Sequence, residues 1–139
     1  EYKLAEDILK TVIQIDAGYA DGFMRLGLLY IEQEKFELAA ENLVMATSLD
    51  EKDYFKFFNL AAAYNQLKQW ENATSAAQSC VDLNQKFGGG WLEFGLAEMG
   101  RRNKTRAKKY FDEARKDRDW REMAERKIDE INNPEKYEK

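Results

Sequence analysis

The sequence has no histidine, one cysteine (Cys80) and one proline (Pro134) among its 139 residues. A lone cysteine excludes a disulfide within the chain, and the lack of histidine excludes histidine-ligated metal sites and histidine-dependent nucleophilic triads. No apolar run reaches the roughly 18 residues that a membrane-spanning helix needs. Acid–base catalysis needs two carboxylates held in a cleft, and no acidic pair is distinguished in the sequence. We therefore expect neither enzyme activity nor a metal or cofactor.

Charge is abundant and unevenly distributed. Charged residues make up 35% of the chain, and the net charge is −4. Residues 101–127 contain twelve Lys or Arg against six Asp or Glu, a local charge of +6 that leaves −10 for the remainder. The segment from Arg101 to Lys127 could contact nucleic acid or an anionic membrane. Its cations alternate with acids at helical offsets, so ion pairs within solvated helices are the simpler interpretation.

The stretch from Tyr54 to Lys86 predicts two antiparallel helices joined by a short break. Apolar residues at i, i+3, i+4 and i+7 define one face of the first helix: Phe57, Leu60, Ala61 and Tyr64. The face of the second helix carries Trp70, Ala73, Ala77, Cys80 and Val81. Small residues on both faces indicate close backbone approach, and the position of Cys80 predicts a core thiol rather than a reactive one.

This pattern recurs with a period of 34 residues. The residues Phe57, Leu60, Ala61, Tyr64, Trp70, Ala73 and Leu83 correspond to Phe23, Leu26, Gly27, Tyr30, Phe36, Ala39 and Leu49. A third copy contains Trp91, Phe94, Gly95, Ala107, Phe111 and Ala114. Half a copy at the start of the chain contains Tyr2, Ala5, Leu9, Ile15 and Asp16. Three and a half copies are enough for stacked helical hairpins to bury one another's apolar faces.

A 34-residue helix–turn–helix unit with aromatic-x-x-Leu-Gly-x-x-Tyr followed by Ala-x-x-x-Phe resembles the tetratricopeptide repeat. The segment from Phe23 to Tyr30 matches this motif best, and the likeness covers about residues 1–117. Glu51 and Gln85 replace the usual turn proline, and Ala77 is smaller than the residue usual there. The resemblance implies an all-α, right-handed superhelix of helical hairpins.

We divide the chain into five units: the second helix of a truncated repeat (1–19), three repeats (20–53, 54–87 and 88–117), and a capping helix with a tail (118–139). The pattern Asp119-x-x-Glu122 predicts a capping box at the start of the last helix, which ends before Pro134. Its expected apolar stripe is Trp120, Met123, Ala124, Lys127, Ile128 and Ile131. The first helix, over residues 2–15, would expose apolar residues, so we expect upstream sequence, a partner or self-association to cover it.

In the tetratricopeptide-repeat family, first helices line a concave groove that holds extended or helical peptide segments. The first helices here carry a second stripe beyond their packing face. Its apolar members are Met24, Leu28, Phe55, Phe58, Ala62, Leu92 and Leu96, and its polar members are Arg25, Asn59, Asn65, Gln66 and Glu93. We expect a non-catalytic protein-interaction module or scaffold that binds a partner's peptide or helix, without a small-molecule substrate. The alternative function is a subunit that contacts nucleic acid or an anionic membrane through the segment from Arg101 to Lys127. The alternative is that neighbouring hairpins or an intramolecular segment bury this stripe.

One use of the groove in this family is a clamp for chaperone tails, which needs lysine, arginine and asparagine on the inner faces. Of these positions only Asn59 fits, because Leu28 replaces an asparagine and Gly89 and Glu93 replace the cations of the third copy. The resemblance therefore does not extend to binding of a C-terminal carboxylate. Phe58 lies about 100° around the helix from Phe57, so we expect it to face the groove and to tolerate a charge.

Three smaller features have competing interpretations. The run Gly88–Gly90 lacks the Lys-Ser/Thr ending of a phosphate loop, so we expect a flexible joint between repeats. Asn72 and Asn103 begin glycosylation sequons but lie at predicted helix starts, where capping is the preferred explanation. Any targeting segment would lie upstream of Glu1, so the compartment is unknown; a cytoplasmic location is favoured over a periplasmic or membrane-attached parent protein.

Overall fold

The computed structural model describes residues 1–138, which form eight α-helices, a short 3₁₀ helix at Pro134–Lys136 and no strand. The helices are α1 (Tyr2–Ile15), α2 (Ala20–Glu32), α3 (Phe36–Leu49), α4 (Tyr54–Gln66), α5 (Trp70–Leu83), α6 (Gly88–Gly100), α7 (Lys104–Ala114) and α8 (Arg121–Asn132). None of them is long and apolar enough to cross a bilayer. The predicted all-α solenoid is confirmed.

The helices follow the sequence period. Helices α2, α4 and α6 begin at residues 20, 54 and 88, and α1, α3, α5 and α7 begin at residues 2, 36, 70 and 104. Pairs α2–α3, α4–α5 and α6–α7 pack as hairpins, and α3 packs on α4 as α5 packs on α6. First helices also contact one another, α2 with α4 and α4 with α6, whereas no comparable contact joins α3 to α5 or α5 to α7 in the described chain. The first helices therefore form the inner row of the solenoid.

Each hairpin turns at a residue with left-handed backbone. Glu34, Lys68 and Arg102 have φ of 58°, 59° and 65°, and they are spaced by the repeat period. The residue after each donates its N–H to a carbonyl five residues earlier, at 2.8–2.9 Å, which closes the last turn of the inner helix. This geometry usually selects glycine. Here three charged residues adopt it, so glycine does not mark these turns in the sequence.

Side-chain sizes are matched where the two helices of a hairpin approach closely. A Cβ on Gly27 would lie 2.7 Å from Cγ of Leu43, and a Cβ on Gly95 would overlap the ring of Phe111. In the middle hairpin the corresponding positions hold Ala61 and Ala77, both fully buried. Ala61 is larger than the glycines at the same position of the other hairpins, Gly27 and Gly95, and Ala77 is smaller than their partners, Leu43 and Phe111. The smaller Ala77 leaves room for the methyl group of Ala61, which explains why Ala77 departs from the usual repeat pattern.

The expectation of a flexible joint at Gly88–Gly90 is wrong. These three glycines form the first turn of α6 and are buried. A Cβ on Gly90 would lie 2.7 Å from Sγ of Cys80, and one on Gly88 would lie 2.7 Å from the carbonyl oxygen of Ala114. Glycine is needed here because the helix start is wedged between α5 and the α7–α8 turn.

The start of the capping helix also differs from the prediction. Helix α8 begins at Arg121 and its N-cap, Trp120, makes no side-chain capping bond, so the Asp119 capping box is not formed. Asp117 orders this turn instead: Oδ2 accepts from the Gly88 N–H at 2.7 Å and Oδ1 from the Asp119 N–H at 3.1 Å. The apolar stripe is narrower than predicted because Met123 is exposed, while Ala124 is buried and Ile128 and Ile131 pack on the core of the last repeat.

The two asparagines behave differently. Asn103 caps α7, accepting the Arg106 N–H at 3.1 Å, as expected. Asn72 lies inside the first turn of α5 and donates to Gln69 Oε1 at 2.9 Å, so the predicted cap is wrong.

Cys80 is fully buried, as predicted, and burial, together with the charge of Glu93, raises the pKa of its thiol to about 12.

Helix α1 packs on α2 along one side only. Tyr30 donates to Glu6 Oε2 at 2.8 Å, and Lys10 pairs with the same oxygen at 2.8 Å. The bond from Lys10 and, to a smaller extent, the bond from Tyr30 lower the pKa of the Glu6 carboxyl to about 2. The other side of α1 exposes four large apolar side chains: Tyr2, Leu4, Ile8 and Ile15. The predicted exposed stripe is confirmed.

Candidate functional site

The inner row presents a mixed surface, and the structure keeps some predicted anchors accessible while burying others. Phe55 is 39% exposed, and Met24, Leu28 and Leu96 are partly exposed. Leu92 is only 2% exposed because it packs with α7 and α8 in the core of the last repeat, so its prediction as a peptide anchor is wrong. The accessible apolar surface of the inner row therefore lies mainly on α2 and α4.

Four aromatic rings close the amino-terminal end of this surface. Phe58 lies 5.7 Å from Phe55, 5.1 Å from Phe87 and 5.6 Å from Trp120, measured between ring centroids. Phe87 precedes α6 and Trp120 precedes α8, so the cluster joins the second repeat to the cap. Phe58 does face away from its own hairpin partner, but it packs between repeats. A charge at Phe58 would break this packing, which contradicts the expected tolerance.

Two shallow pockets border α4. The larger one, of about 480 Å³, lies between α3 and the end of α4, outside the inner row, and the smaller one, of about 270 Å³, lies on the inner row. The smaller pocket lies between α2 and α4 and is lined by Ile31, Glu34, Phe36, Ala62, Ala63 and Gln66. Ala62 and Gln66 were both predicted as groove residues. This pocket can accept one apolar side chain, with the Gln66 amide at its rim.

The predicted polar residues separate into free and internally bonded groups. Arg25 and Gln66 are exposed. Asn59 is buried and donates to the main-chain oxygen of Phe55 at 2.9 Å, so it serves its own helix rather than a peptide. Asn65 is also buried, and its Nδ2 donates to both the main-chain oxygen and Oε1 of Glu93, each at 2.9 Å. Asn65 therefore links α4 to α6 at the position of Glu93.

Glu93 is a partly exposed carboxylate in an apolar setting. Burial raises its pKa to about 7, and the hydrogen bond from Asn65 opposes that rise. No ion pair within residues 1–138 involves Glu93. Its position is that of a clamp cation in the family, so the sign of the charge is reversed here.

A buried lysine that the sequence analysis did not single out fixes the amino-terminal ends of α2 and α4. Nζ of Lys56 donates to Asp21 Oδ1 and Asp53 Oδ2 at 2.7 Å, and lies 3.4 Å from Asp50 Oδ2. Burial disfavours the charged form, but these bonds outweigh it and raise the pKa of Lys56. The corresponding positions of the flanking repeats are glycines. The three surrounding aspartates are the only sequence signal that could have revealed it.

The basic segment from Arg101 to Lys127 is partly neutralised. Six of its twelve cations form ion pairs: Arg101 and Arg106 with Glu98, Arg115 with Asp112, Lys116 with Glu113, and Arg126 and Lys127 with Glu130. Others, such as Lys104, Lys108 and Lys109 on α7, pair with no carboxylate in the described part of the chain. These lie on an outer helix, away from the inner row.

Among residues 1–138 no group of three or more Cys, Asp or Glu is placed to hold a metal ion.

The sequence profile of the tetratricopeptide repeat matches residues 20–53, which contain α2 and α3. Residues 20–53 therefore form a tetratricopeptide repeat, as the motif from Phe23 to Tyr30 indicates. The other hairpins of the chain repeat the geometry of the matched one at the same period.

The chain is similar to the Hsp70-Hsp90 organising protein of Plasmodium falciparum, to which it is 26% identical over 92 residues. That match covers 66% of this chain and 36% of the relative, so the chain spans about a third of the relative's length. Among solved structures, the first repeat domain of Spaghetti (RPAP3) bound to the HSP90 peptide SRMEEVD has a TM-score of 0.78 at 22% identity, covering 86% of this chain and 94% of that one. MamA has a TM-score of 0.78 at 17% identity, covering 98% and 90%. At these identities the structures establish a shared fold.

Proposed function

We propose that this chain is a non-catalytic protein-interaction module that binds a peptide or helical segment of another protein along the inner row of α2, α4 and α6. The observation that supports this most directly is the apolar stripe of Met24 and Leu28, which are partly exposed, and Phe55, which is 39% exposed, on the two helices that border the pocket at Ala62. Hairpin packing leaves these side chains accessible. Complementarity to such a stripe is how helical grooves hold amphipathic segments.

The solved relatives support the class of function and not its specificity. The RPAP3 domain of the same fold carries the acidic peptide SRMEEVD. In this chain, Leu28, Gly89 and Glu93 stand where a carboxylate clamp would have asparagine or cations. The partner is therefore a different segment, with apolar anchors and without dependence on a terminal carboxylate.

Binding to peptides with blocked termini tests this proposal. A set of amphipathic peptides, acetylated and amidated so that no terminal charge remains, is screened by fluorescence anisotropy. We expect Leu28→Glu to weaken the binding that is found at least about tenfold, since it places a charge in the apolar stripe. The matched control is Met45→Glu, on the exposed side of outer helix α3, which should bind like the wild type. Equal losses in both variants would contradict a groove site.

A further inference from the structure

The side chains of Glu93 and Asn65 keep unused hydrogen-bond acceptor capacity at the contact between α4 and α6. Glu93 receives a side-chain bond only from Asn65 Nδ2, at 2.9 Å to Oε1, and it takes part in no ion pair of the described chain. The carbonyl oxygen of the Asn65 side chain is buried and receives no hydrogen bond among residues 1–138. This oxygen belongs to the same side-chain amide as Nδ2, which bonds to Glu93, so it lies close to the Glu93 carboxylate. The pair thus offers acceptors and a negative charge, with no donor left over.

We propose that Glu93 and Asn65 form a subsite for an arginine side chain of the partner segment. A guanidinium presents paired N–H donors in one plane that match the two oxygens of a carboxylate, so it can bond to the accessible side of the Glu93 carboxylate. Asn65 acts as the positioning residue because its two bonds to Glu93 fix both groups. This inference rests on the proposed function, since it names the partner chemistry of the same groove.

The surrounding charges favour a cation at this point. The single charge on α4, Lys56, is taken up by three aspartates, and Glu98, the other charge on α6, is buried and paired with Arg101 and Arg106. Glu93 is therefore the one uncompensated charge on the facing sides of α4 and α6 within the described residues. Its raised pKa, to about 7, is consistent with a carboxylate that lacks a nearby cation.

Access is available because Glu93 remains partly exposed on the inner row. The pocket at Ala62 and Gln66 lies on the same helix, α4, as Asn65. The pocket lies on the α2 side of α4 and Glu93 on its α6 side, so one partner segment that crosses α4 can reach both. The segment we infer is consequently an amphipathic one with an apolar anchor and an arginine.

The test uses peptides from the same blocked amphipathic set in three matched forms, with arginine, citrulline or glutamate at the position beside the apolar anchor. Citrulline keeps the shape of arginine without its charge. We expect wild-type protein to bind the arginine form at least about tenfold more tightly than the citrulline form, and the glutamate form more weakly still. Glu93→Gln should remove the preference for arginine. Glu71→Gln, an equal change of charge on outer helix α5, should keep it.

Different results separate this inference from the proposed function. If wild-type protein binds arginine and citrulline forms equally, and Leu28→Glu still weakens binding at least about tenfold, the arginine subsite is wrong and the groove stands. Retention of the arginine preference in Glu93→Gln would also overturn the subsite. If no peptide of the set binds, both the groove and the subsite are contradicted. The wild-type comparison of arginine with citrulline needs no variant to fold.

Discussion

At the scale of single residues, two charged side chains on the inner helices differ in the partners that surround them: Lys56 and Glu93. Lys56 is almost completely buried, yet it remains charged because Asp21, Asp50 and Asp53 surround its ammonium group. Glu93 lacks such compensation. Both pKa values are raised, but for opposite reasons. The pKa of Lys56 rises because the aspartates stabilise its charged form, whereas the pKa of Glu93 rises because burial disfavours its charged form.

The raised pKa of Glu93 predicts a pH-dependent stability. In the folded state the pKa is about 7, above its ordinary value of 4.5, so the folded chain holds the proton more tightly than the unfolded chain. This contribution is fully present below the ordinary pKa and is lost as the pH rises through about 7. Integrated over the shift, it amounts to at most about 3 kcal/mol. We expect Glu93→Gln to become more stable relative to the wild type as the pH rises from about 5 to about 8.

Urea unfolding at a series of pH values measures this difference. Glu71→Gln removes the same formal charge from an exposed position, so its curve should run parallel to that of the wild type. Parallel curves for Glu93→Gln and the wild type would show that Glu93 titrates as a solvated carboxylate.

Sequence patterns could identify the inner helices, but not the fate of each polar side chain on them. The spacing of Asn59 and Asn65 placed both on the inner row, and helical periodicity gives no information on whether an amide bonds to its own helix or to a neighbouring one. Leu92 was assigned to the groove by repeat equivalence with Met24 and Phe58. It is buried because the third repeat is followed by a capping helix rather than by another hairpin.

At the scale of helices, stability depends on matched side-chain volumes where backbones approach. The predicted close contact at Gly27 and Ala61 agrees with the structure, in which Ala61 is fully buried. Helical hairpins and their period could be predicted because apolar residues at i, i+3, i+4 and i+7 recur in every copy. The helix start at Gly88 could not be predicted, because glycine is required there by the packing of Gly88 against Ala114 and of Gly90 against Cys80, and local helix propensity carries no information on such tertiary contacts.

Ala61→Leu tests the close approach of α4 and α5. The larger side chain has no free volume at this position, so we expect the unfolding free energy to fall by roughly 1 to 3 kcal/mol. Ala62→Leu is the matched control, because residue 62 is partly exposed and borders the pocket between α2 and α4. Thermal denaturation followed by circular dichroism compares the two. A melting temperature unchanged in Ala61→Leu would refute the packing assignment.

At the scale of the whole molecule, the solenoid has one covered end and one apolar end. Helix α8 shields the last repeat with Ala124, Ile128 and Ile131. Helix α1 instead presents Leu4 and Ile8 to solvent, at 66% and 54% exposure. Apolar surface of this kind favours association in water.

We expect this chain to self-associate through α1 in a concentration-dependent way. Sedimentation velocity over a range of concentrations should show a species heavier than the monomer, and the double variant Leu4→Lys, Ile8→Lys should shift it towards the monomer. Met123→Lys, which changes an exposed apolar residue on α8, should leave the distribution as it is in the wild type. A monomer at every concentration would rule out this association.

Binding along the inner row is tested by a map of amide chemical shifts in the ¹⁵N-labelled chain, titrated with the tightest-binding peptide of the blocked set. The inner-row account predicts that the largest changes fall on α2, α4 and α6, at Leu28, Phe55 and Ala62, with little change on α7. Changes concentrated on α7 and α8, in the segment from Arg101 to Lys127, would contradict the inner-row site and assign binding to the basic surface instead.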